Sequence, residues 1–288
     1  VGKNALDSNT TADNNTAVGY DALQANTTGG SNTAIGQEAM KSNTTGTTNV
    51  DVGRDALEDN TTADANVAVG YGAARNNTTG GSNTAIGYLS MDANTTGAGN
   101  TAVGFQSLDA NTTAANNTGI GYNVLSANST GADNVAVGSQ ALAANTANYN
   151  TAVGKSALDS NTTANANTAV GHSALATVTT NGNNTAVGYN ALTTSTAEGN
   201  SAVGYESLRN NTTGYRNVSM GKESLKDNTT GNQNVAIGNN ALEKNTTAGD
   251  NTAVGFQALG AVTTGSQNVA VGANALDANT TAANNTAV

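Results

Sequence analysis

Residues 15–31 read NTAVGYDALQANTTGGS, and residues 32–48 read NTAIGQEAMKSNTTGTT. The same order of residue types recurs along the whole chain, with Gly spaced by 17 residues except for two steps of 16, from Gly138 to Gly154 and from Gly188 to Gly204. A unit this short cannot hold two helices and their connections. Its Thr, Val, Asn and Gly are modest or poor helix formers and favour short strands with turns. The repeat therefore predicts an all-β fold, a parallel β-solenoid (β-roll or β-helix) with one 17-residue coil per repeat.

The composition agrees with a repeat protein and with little else. The chain has 34 Gly, no Pro, no Cys and no Trp, and only 10% of its residues are charged. Disordered chains are usually rich in charge and Pro, so disorder is a poor interpretation. No linker interrupts the repeat. We predict one repeat domain over residues 1–288, with 17 coils, and expect it to be a fragment of a longer fibre because it starts and stops inside a repeat.

The charge and the reactive residues exclude several functions. The net charge is −10 and the ten Lys and Arg are scattered, which argues against a nucleic-acid partner. No apolar run within this window could span a membrane. The single His172 has no second metal ligand or base partner in the pattern, and the acidic residues keep no shared register. We expect no catalytic site, no metal site and no cofactor, and hence no enzyme.

The variation between coils predicts which side chains form the core. Positions i and i+2 of a strand share a face, so the columns of Thr16 and of Val18 are predicted to point inward. The residue between them becomes Asp51 and Ser219 in other coils and is predicted to face outward. The predicted structural columns are those of Gly19, Gly36 and Gly53, of Val18 and Ile35, and of Leu23, Leu57 and Leu108.

Two Asn columns complete the predicted framework. The column of Asn15, Asn32 and Asn49 never varies and is predicted to form a corner ladder, because Asn tolerates the left-handed conformation and stacked Asn side chains bond one another. The column of Asn26 and Asn43 accepts Val178 and Val262, so it is predicted to be at least partly buried. Both one-residue deletions follow this column, which places the loop after it on the outside.

The Asn-Thr-Thr segments leave three interpretations open. They match the N-glycosylation sequon, but the Val replacements favour a role in packing. The Thr pairs could also form an ice-binding hydroxyl array, although neighbouring strand residues point to opposite faces, so only one Thr of each pair could join it. This surface-adsorbing solenoid is the alternative to a structural fibre.

A possible contact strip follows the Gly column. Tyr is favoured at interfaces because it buries a ring and keeps a polar tip, so this row predicts either a surface for partner chains or a solvated stripe. Its aromatic members are Tyr20, Tyr71, Tyr88, Phe105, Tyr122, Tyr189, Tyr205 and Phe256.

The segments Thr16-Ala17-Val18-Gly19 and Val235-Ala236-Ile237-Gly238, each followed by x-x-Ala-Leu, resemble the head repeats of YadA-like trimeric autotransporter adhesins. They are also similar to Asn/Thr-rich repeats of bacteriophage tail fibres and bacterial surface fibres. The adhesin unit is typically about 14 residues, shorter than the unit here. The resemblance implies a left-handed solenoid, a homotrimer, an extracellular, cell-surface or virion-surface location, and attachment to a host or surface receptor.

Overall fold

The structure is a computed structural model and describes residues 2–288. It consists of two compact units, Val1–Asn148 and Tyr149–Val288. Short parallel strands and turns make up both units, and no helix occurs among the described residues. The predicted parallel β-solenoid is confirmed. The single domain over residues 1–288 stays a prediction.

Each coil contributes one strand of two or three residues. In the first unit these are β1 (Thr16–Val18), β2 (Thr33–Ile35), β3 (Val50–Val52), β4 (Val67–Val69), β5 (Thr84–Ile86), β6 (Thr101–Val103), β7 (Thr118–Ile120) and β8 (Val135–Val137). In the second they are β9 (Thr151–Val153), β10 (Thr168–Val170), β11 (Thr185–Val187), β12 (Ser201–Val203), β13 (Val218–Met220), β14 (Val235–Ile237), β15 (Thr252–Val254), β16 (Val269–Val271) and β17 (Thr286–Ala287).

The strands stack in the register that the repeat predicts. In the first unit Ala17 of β1 lies beside Ala34 of β2. The second unit keeps the register across its short coil, since Thr185 of β11 pairs with Ser201 of β12 although only 16 residues separate them. Equivalent residues therefore form continuous columns within each unit, and a residue missing from a loop does not shift the strands.

The predicted orientation of the strands was wrong. The middle residue points inward: Ala34 is fully buried, whereas Val18 and Ile35 are 42% and 40% exposed. Asp51 and Ser219, predicted to face outward, are 0% and 1% exposed. A coil of 17 residues leaves little space opposite the strand, since Leu and Asn side chains already fill it, so only a small residue fits inside.

The predicted Leu column is confirmed as core. Leu23, Leu57 and Leu108 are completely buried, and Met40 fills the same column. These are the largest side chains inside the coils, and they pack against the Ala column of the strands. Burying a Leu side chain contributes about 2 kcal/mol, so this column is the main apolar contribution of each coil to stability.

The invariant Asn column is a ladder, but its members do not adopt the left-handed conformation. The residue before each of them does, as at Ser31, whose φ is 60°. The Asn side chains instead bond the backbone of neighbouring coils. The Asn32 side chain donates from Nδ2 to the Gly46 carbonyl at 2.8 Å, and the Asn32 backbone N–H donates to Asn15 Oδ1 at 2.8 Å. A turn of the chain at this corner leaves backbone groups unpaired, and the Asn side chain satisfies them.

The Gly column is required by backbone geometry. Gly36 has φ 149°, and a Cβ at this position would collide with the carbonyl of Gly53 in the next coil. Successive coils approach one another closely here, so no larger residue fits. The chain bends at this column, directly before the predicted contact strip.

Candidate contact surface

Of the two outward columns of the strands, the column of Val18 forms an apolar surface in both units, whereas the column of Thr16 is mostly Thr. Ile35, Ile86 and Ile120 are 40%, 38% and 40% exposed, and Met220 of the second unit is 49% exposed. Neither outward strand column contains a charged residue at any of its positions. An exposed apolar patch that recurs without charge is typical of interaction sites. The sequence had placed the columns of Val18 and Ile35 in the core, so this surface was missed.

The aromatic strip lies outside, as the row after the Gly column predicts. Its members are all between 37% and 52% exposed: Tyr20, Tyr71, Tyr88, Phe105, Tyr122, Tyr189, Tyr205 and Phe256. In the first unit the rings of Tyr71, Tyr88, Phe105 and Tyr122 stack in an unbroken series, with centroids 5.3 to 5.4 Å apart. This row stands two residues after the outward Val and Ile column, so apolar side chains continue past the Gly bend.

Two polar groups join the aromatic strip. The Arg54 guanidinium lies 5.6 Å from the centre of the Tyr71 ring, a cation–π contact. His172 stacks on Tyr189 with a centroid distance of 5.3 Å, and its Nδ1 lies 3.0 Å from Ser173 Oγ. His172 is exposed and packs as one more ring of the strip. The sequence places His172 in the same row as the aromatic residues, without a second metal ligand or a base partner.

The Asn-Thr-Thr loops lie on another part of each coil, and their Asn column is buried. Asn26, Asn43 and Asn211 are 0% exposed. The Asn43 side chain donates to Asn26 Oδ1 at 2.7 Å and to the Gly46 carbonyl at 3.1 Å. An amide nitrogen held this way cannot carry a glycan in the folded chain, so the structure supports the packing role of the segment.

The two Thr columns have different roles. The first Thr is tied to the next coil, as when Thr44 Oγ1 donates to the Thr61 carbonyl at 3.0 Å. The second Thr, such as Thr45 or Thr62, is exposed. Only one Thr of each pair therefore belongs to an outward array, as predicted.

Ion pairs occupy the residues that follow the aromatic strip. Lys226 Nζ lies 3.3 Å from Glu206 and 3.5 Å from Glu223, and Arg209 lies 2.9 Å from Glu206. Burial acts to raise the pKa of Glu206, but the hydrogen bonds from Lys226 and Arg209 outweigh it and lower that pKa. These charges satisfy one another between coils and leave the apolar columns uninterrupted.

One group of acidic residues brings carboxylates together. Glu38, Asp55 and Glu58 have oxygens within 4.8 Å of one another. Lys41 Nζ is 3.2 Å from Glu38 and Arg54 Nε is 3.2 Å from Asp55. Hydrogen bonds from Gln37 and then Lys41 lower the pKa of Glu38. Cationic side chains pair with two of the three carboxylates, while burial and then the neighbouring carboxylates raise the pKa of Glu58. The group is best described as an ion-pair network on the surface.

Comparison with known proteins adds no relative. No protein-family model, no curated protein and no solved structure matches the chain. Among residues 2–288 the structure contains no helix long and apolar enough to cross a membrane.

Proposed function

We propose that the chain is a non-catalytic structural fibre or adhesin shaft, exposed outside a cell or on a virion, that associates with copies of itself and presents a surface for attachment to a host or surface receptor. The observation that supports this most is the uncharged column of exposed Val, Ile and Met along the strands of each unit. Stable protein interfaces bury apolar side chains at their centre and are depleted of charge there.

Self-association would also compensate for the small apolar core of a single chain. Inside each coil the apolar side chains are essentially one Leu or Met and a few Ala, as with Leu57 and Ala68. Burying the outward Val and Ile columns between copies adds apolar burial that a single chain lacks, at about 25 cal/mol for each Å² removed from water. We propose a homotrimer, consistent with the resemblance of the repeat to trimeric adhesins.

Sedimentation equilibrium of the purified chain tests this proposal. We expect a trimer, and we expect the triple variant Val52→Lys, Val69→Lys and Ile86→Lys to be monomeric, because charges in the column cannot be buried between copies. The matched control is Thr62→Lys, Thr79→Lys and Thr96→Lys, which adds the same charges to the exposed Thr column and should leave the trimer intact. A stable monomer of the unmodified chain in dilute solution would overturn the proposal.

The exposed Thr column favours a second candidate, an ice-binding or surface-adsorbing solenoid. Thr28, Thr45, Thr62 and Thr79 repeat in register on the outside of successive coils, and parallel strands stand about 4.8 Å apart. The column is interrupted where the coils are short. Thermal hysteresis separates the two functions, because a structural shaft should produce none.

A further inference from the structure

The second unit contains a notch where its coil is one residue short. Long coils have two residues between the buried Asn and the next buried small residue, as Thr27 and Thr28 stand between Asn26 and Gly29. The short coil has only Thr196 between Ser195 and Ala197. Thr196 keeps the role of the first Thr, since its Oγ1 donates to the Thr212 carbonyl at 2.9 Å. The missing residue is therefore the exposed second Thr, and its absence opens a gap in the outer surface.

This gap is an open surface depression of about 520 Å³, a volume within the range of roughly 300 to 1,000 Å³ typical of small-molecule sites. The short coil contributes Thr196, Ala197 and Glu198 to the lining. The coil before it contributes Asn181, and the coil after it contributes Thr213, Tyr215 and Arg216.

Three of these residues depart from the repeat in their own columns. Asn181 stands in a column that is Gly or Ala in every other coil, Tyr215 is the only aromatic residue of its column, and Arg216 is the only cation of its column. Departures from an otherwise regular repeat thus converge on one place.

The lining offers both an aromatic ring and unpaired polar groups. Tyr215 is 40% exposed, and the Arg216 guanidinium lies 5.7 Å from its ring centre. Among residues 2–288, neither Arg216 nor Glu198 forms an ion pair, although most other cations of the second unit do. A ligand could thus accept hydrogen bonds from Arg216 and donate them to Glu198.

We propose that this notch binds a saccharide unit. A sugar ring has an apolar face that packs on an aromatic side chain and neighbouring hydroxyls that both donate and accept hydrogen bonds. Tyr215 supplies the ring, the Glu198 carboxylate accepts hydrogen bonds from sugar hydroxyls, and the Arg216 guanidinium and the Asn181 side-chain amide donate hydrogen bonds to them. The site is separate from the outward strand columns, so it does not depend on self-association.

The other short coil serves as an internal comparison. There Asn148 takes the place of Glu198, and its Oδ1 accepts a hydrogen bond from the Ala132 amide at 2.7 Å. The polar side chain at that loop is already used by the backbone of the preceding coil. A shortened loop alone therefore does not present the free groups found beside Thr196.

Saturation-transfer NMR with six sugars tests the proposal: glucose, galactose, mannose, fucose, N-acetylglucosamine and N-acetylneuraminic acid. We expect at least one to receive saturation from the full chain, and we expect Tyr215→Ala to weaken its binding about tenfold through loss of the ring contact. Glu198→Ala should weaken it similarly. The control is Tyr149→Ala, which removes the 64% exposed Tyr of the other short coil and should leave binding unchanged.

Three results would overturn the saccharide site. One is the absence of saturation transfer to all six sugars, and another is unchanged binding in Tyr215→Ala. The third is an equal loss in Tyr149→Ala, which would indicate non-specific contact with exposed Tyr rings. Circular dichroism spectra of the variants verify that each is folded. Comparing the binding of the neutral sugars with that of the acidic N-acetylneuraminic acid shows whether Arg216 or Glu198 selects the ligand.

Discussion

Each coil has a strand side, formed by its β-strand, and a loop side, formed by its Asn-Thr-Thr loop. The strand side buries small residues and exposes large apolar ones, whereas the loop side buries polar Asn. In β5, Ala85 is fully buried while Ile86 is 38% exposed. In the loop before it, the polar Asn77 is fully buried while Thr79 lies outside. Hydropathy alone explains neither choice. Size decides on the strand side, where only a small residue fits opposite the Leu column, and hydrogen bonding decides on the loop side, where the Asn amide satisfies the backbone of the turn.

Asp51 is the sharpest exception on the strand side. It stands in the buried Ala column between Ala34 and Ala68, and neither of its carboxylate oxygens has a hydrogen-bond partner. Burial raises the pKa of Asp51 well above its usual range. The nearby Met40 backbone N–H, which donates its hydrogen bond to the Ala56 carbonyl instead, offsets only part of this rise. No charged side chain contributes to the shift. The residue fits by size but lacks the hydrogen bonds that polar groups have on the loop side.

We expect Asp51→Ala to have the largest effect, a stabilisation of roughly 3 kcal/mol at neutral pH, because it removes a buried carboxyl group that lacks hydrogen-bond partners and that must either keep its charge or take up a proton in the folded chain. The folded-state pKa lies above the unfolded value of about 3.9, so the unmodified chain loses stability as pH rises from about 4 through the folded-state pKa. Urea unfolding between pH 4 and pH 8 measures this loss, and Asp51→Ala should lack it.

The neutral variant Asp51→Asn separates charge from size. It keeps nearly the same volume, so it should remove the loss of stability with rising pH without restoring the packing of Ala. If Asp51→Ala and the unmodified chain respond identically to pH, the carboxylate is not the cause, and the strand side tolerates buried charge better than the structure indicates.

The register of the coils was predictable and the orientation of the strands was not. A strict period fixes which residues stack, since Thr33 must lie next to Thr16 in its column if successive coils lie on one another. The alternation of side chains along a strand indicates only that Thr16 and Val18 share a face. It does not say which face is inside, and the usual preference for buried Val pointed the wrong way.

A different signal in the sequence would have given the orientation. The middle column contains only small residues, with Gly119, Ser219 and Asp51 as its exceptions to Ala, whereas the column of Val18 accepts Ile and Met220. A column limited in size but not in polarity marks a confined interior. The exposed position of the contact strip was predictable, because a column that mixes Tyr, Lys, Arg and His can only face solvent. The sequence signal for the notch is Asn181, which stands in a column of Gly and Ala.

On the loop side, Asn94→Ala tests whether hydrogen bonding explains the buried amides. Asn94 Nδ2 donates to Asn77 Oδ1 at 2.7 Å and to the Gly97 carbonyl at 3.0 Å, and its Oδ1 accepts from Asn111 Nδ2 at 2.8 Å. Loss of these bonds inside the coil should destabilise the chain by about 2 kcal/mol in urea unfolding.

Asn94→Val is the matched comparison, since the chain itself has Val178 and Val262 in this column, both fully buried. Val restores volume and adds apolar burial, so it should cost less than Ala. Equal costs for the two variants would mean that filling the space contributes nothing and that the bonds alone hold this side of the coil.

The smallest expected effect separates the two Thr columns. Thr95 Oγ1 donates to the Thr112 carbonyl at 3.0 Å, so Thr95→Ala should cost about 1 kcal/mol. Its neighbour Thr96 is exposed, and Thr96→Ala should stay within roughly 0.5 kcal/mol of the unmodified chain. The two variants delete the same atoms one residue apart, so a difference in their unfolding free energies isolates the bond between coils. If both are neutral, the Thr columns contribute nothing to folding, and their repetition must be explained by what the outer surface contacts.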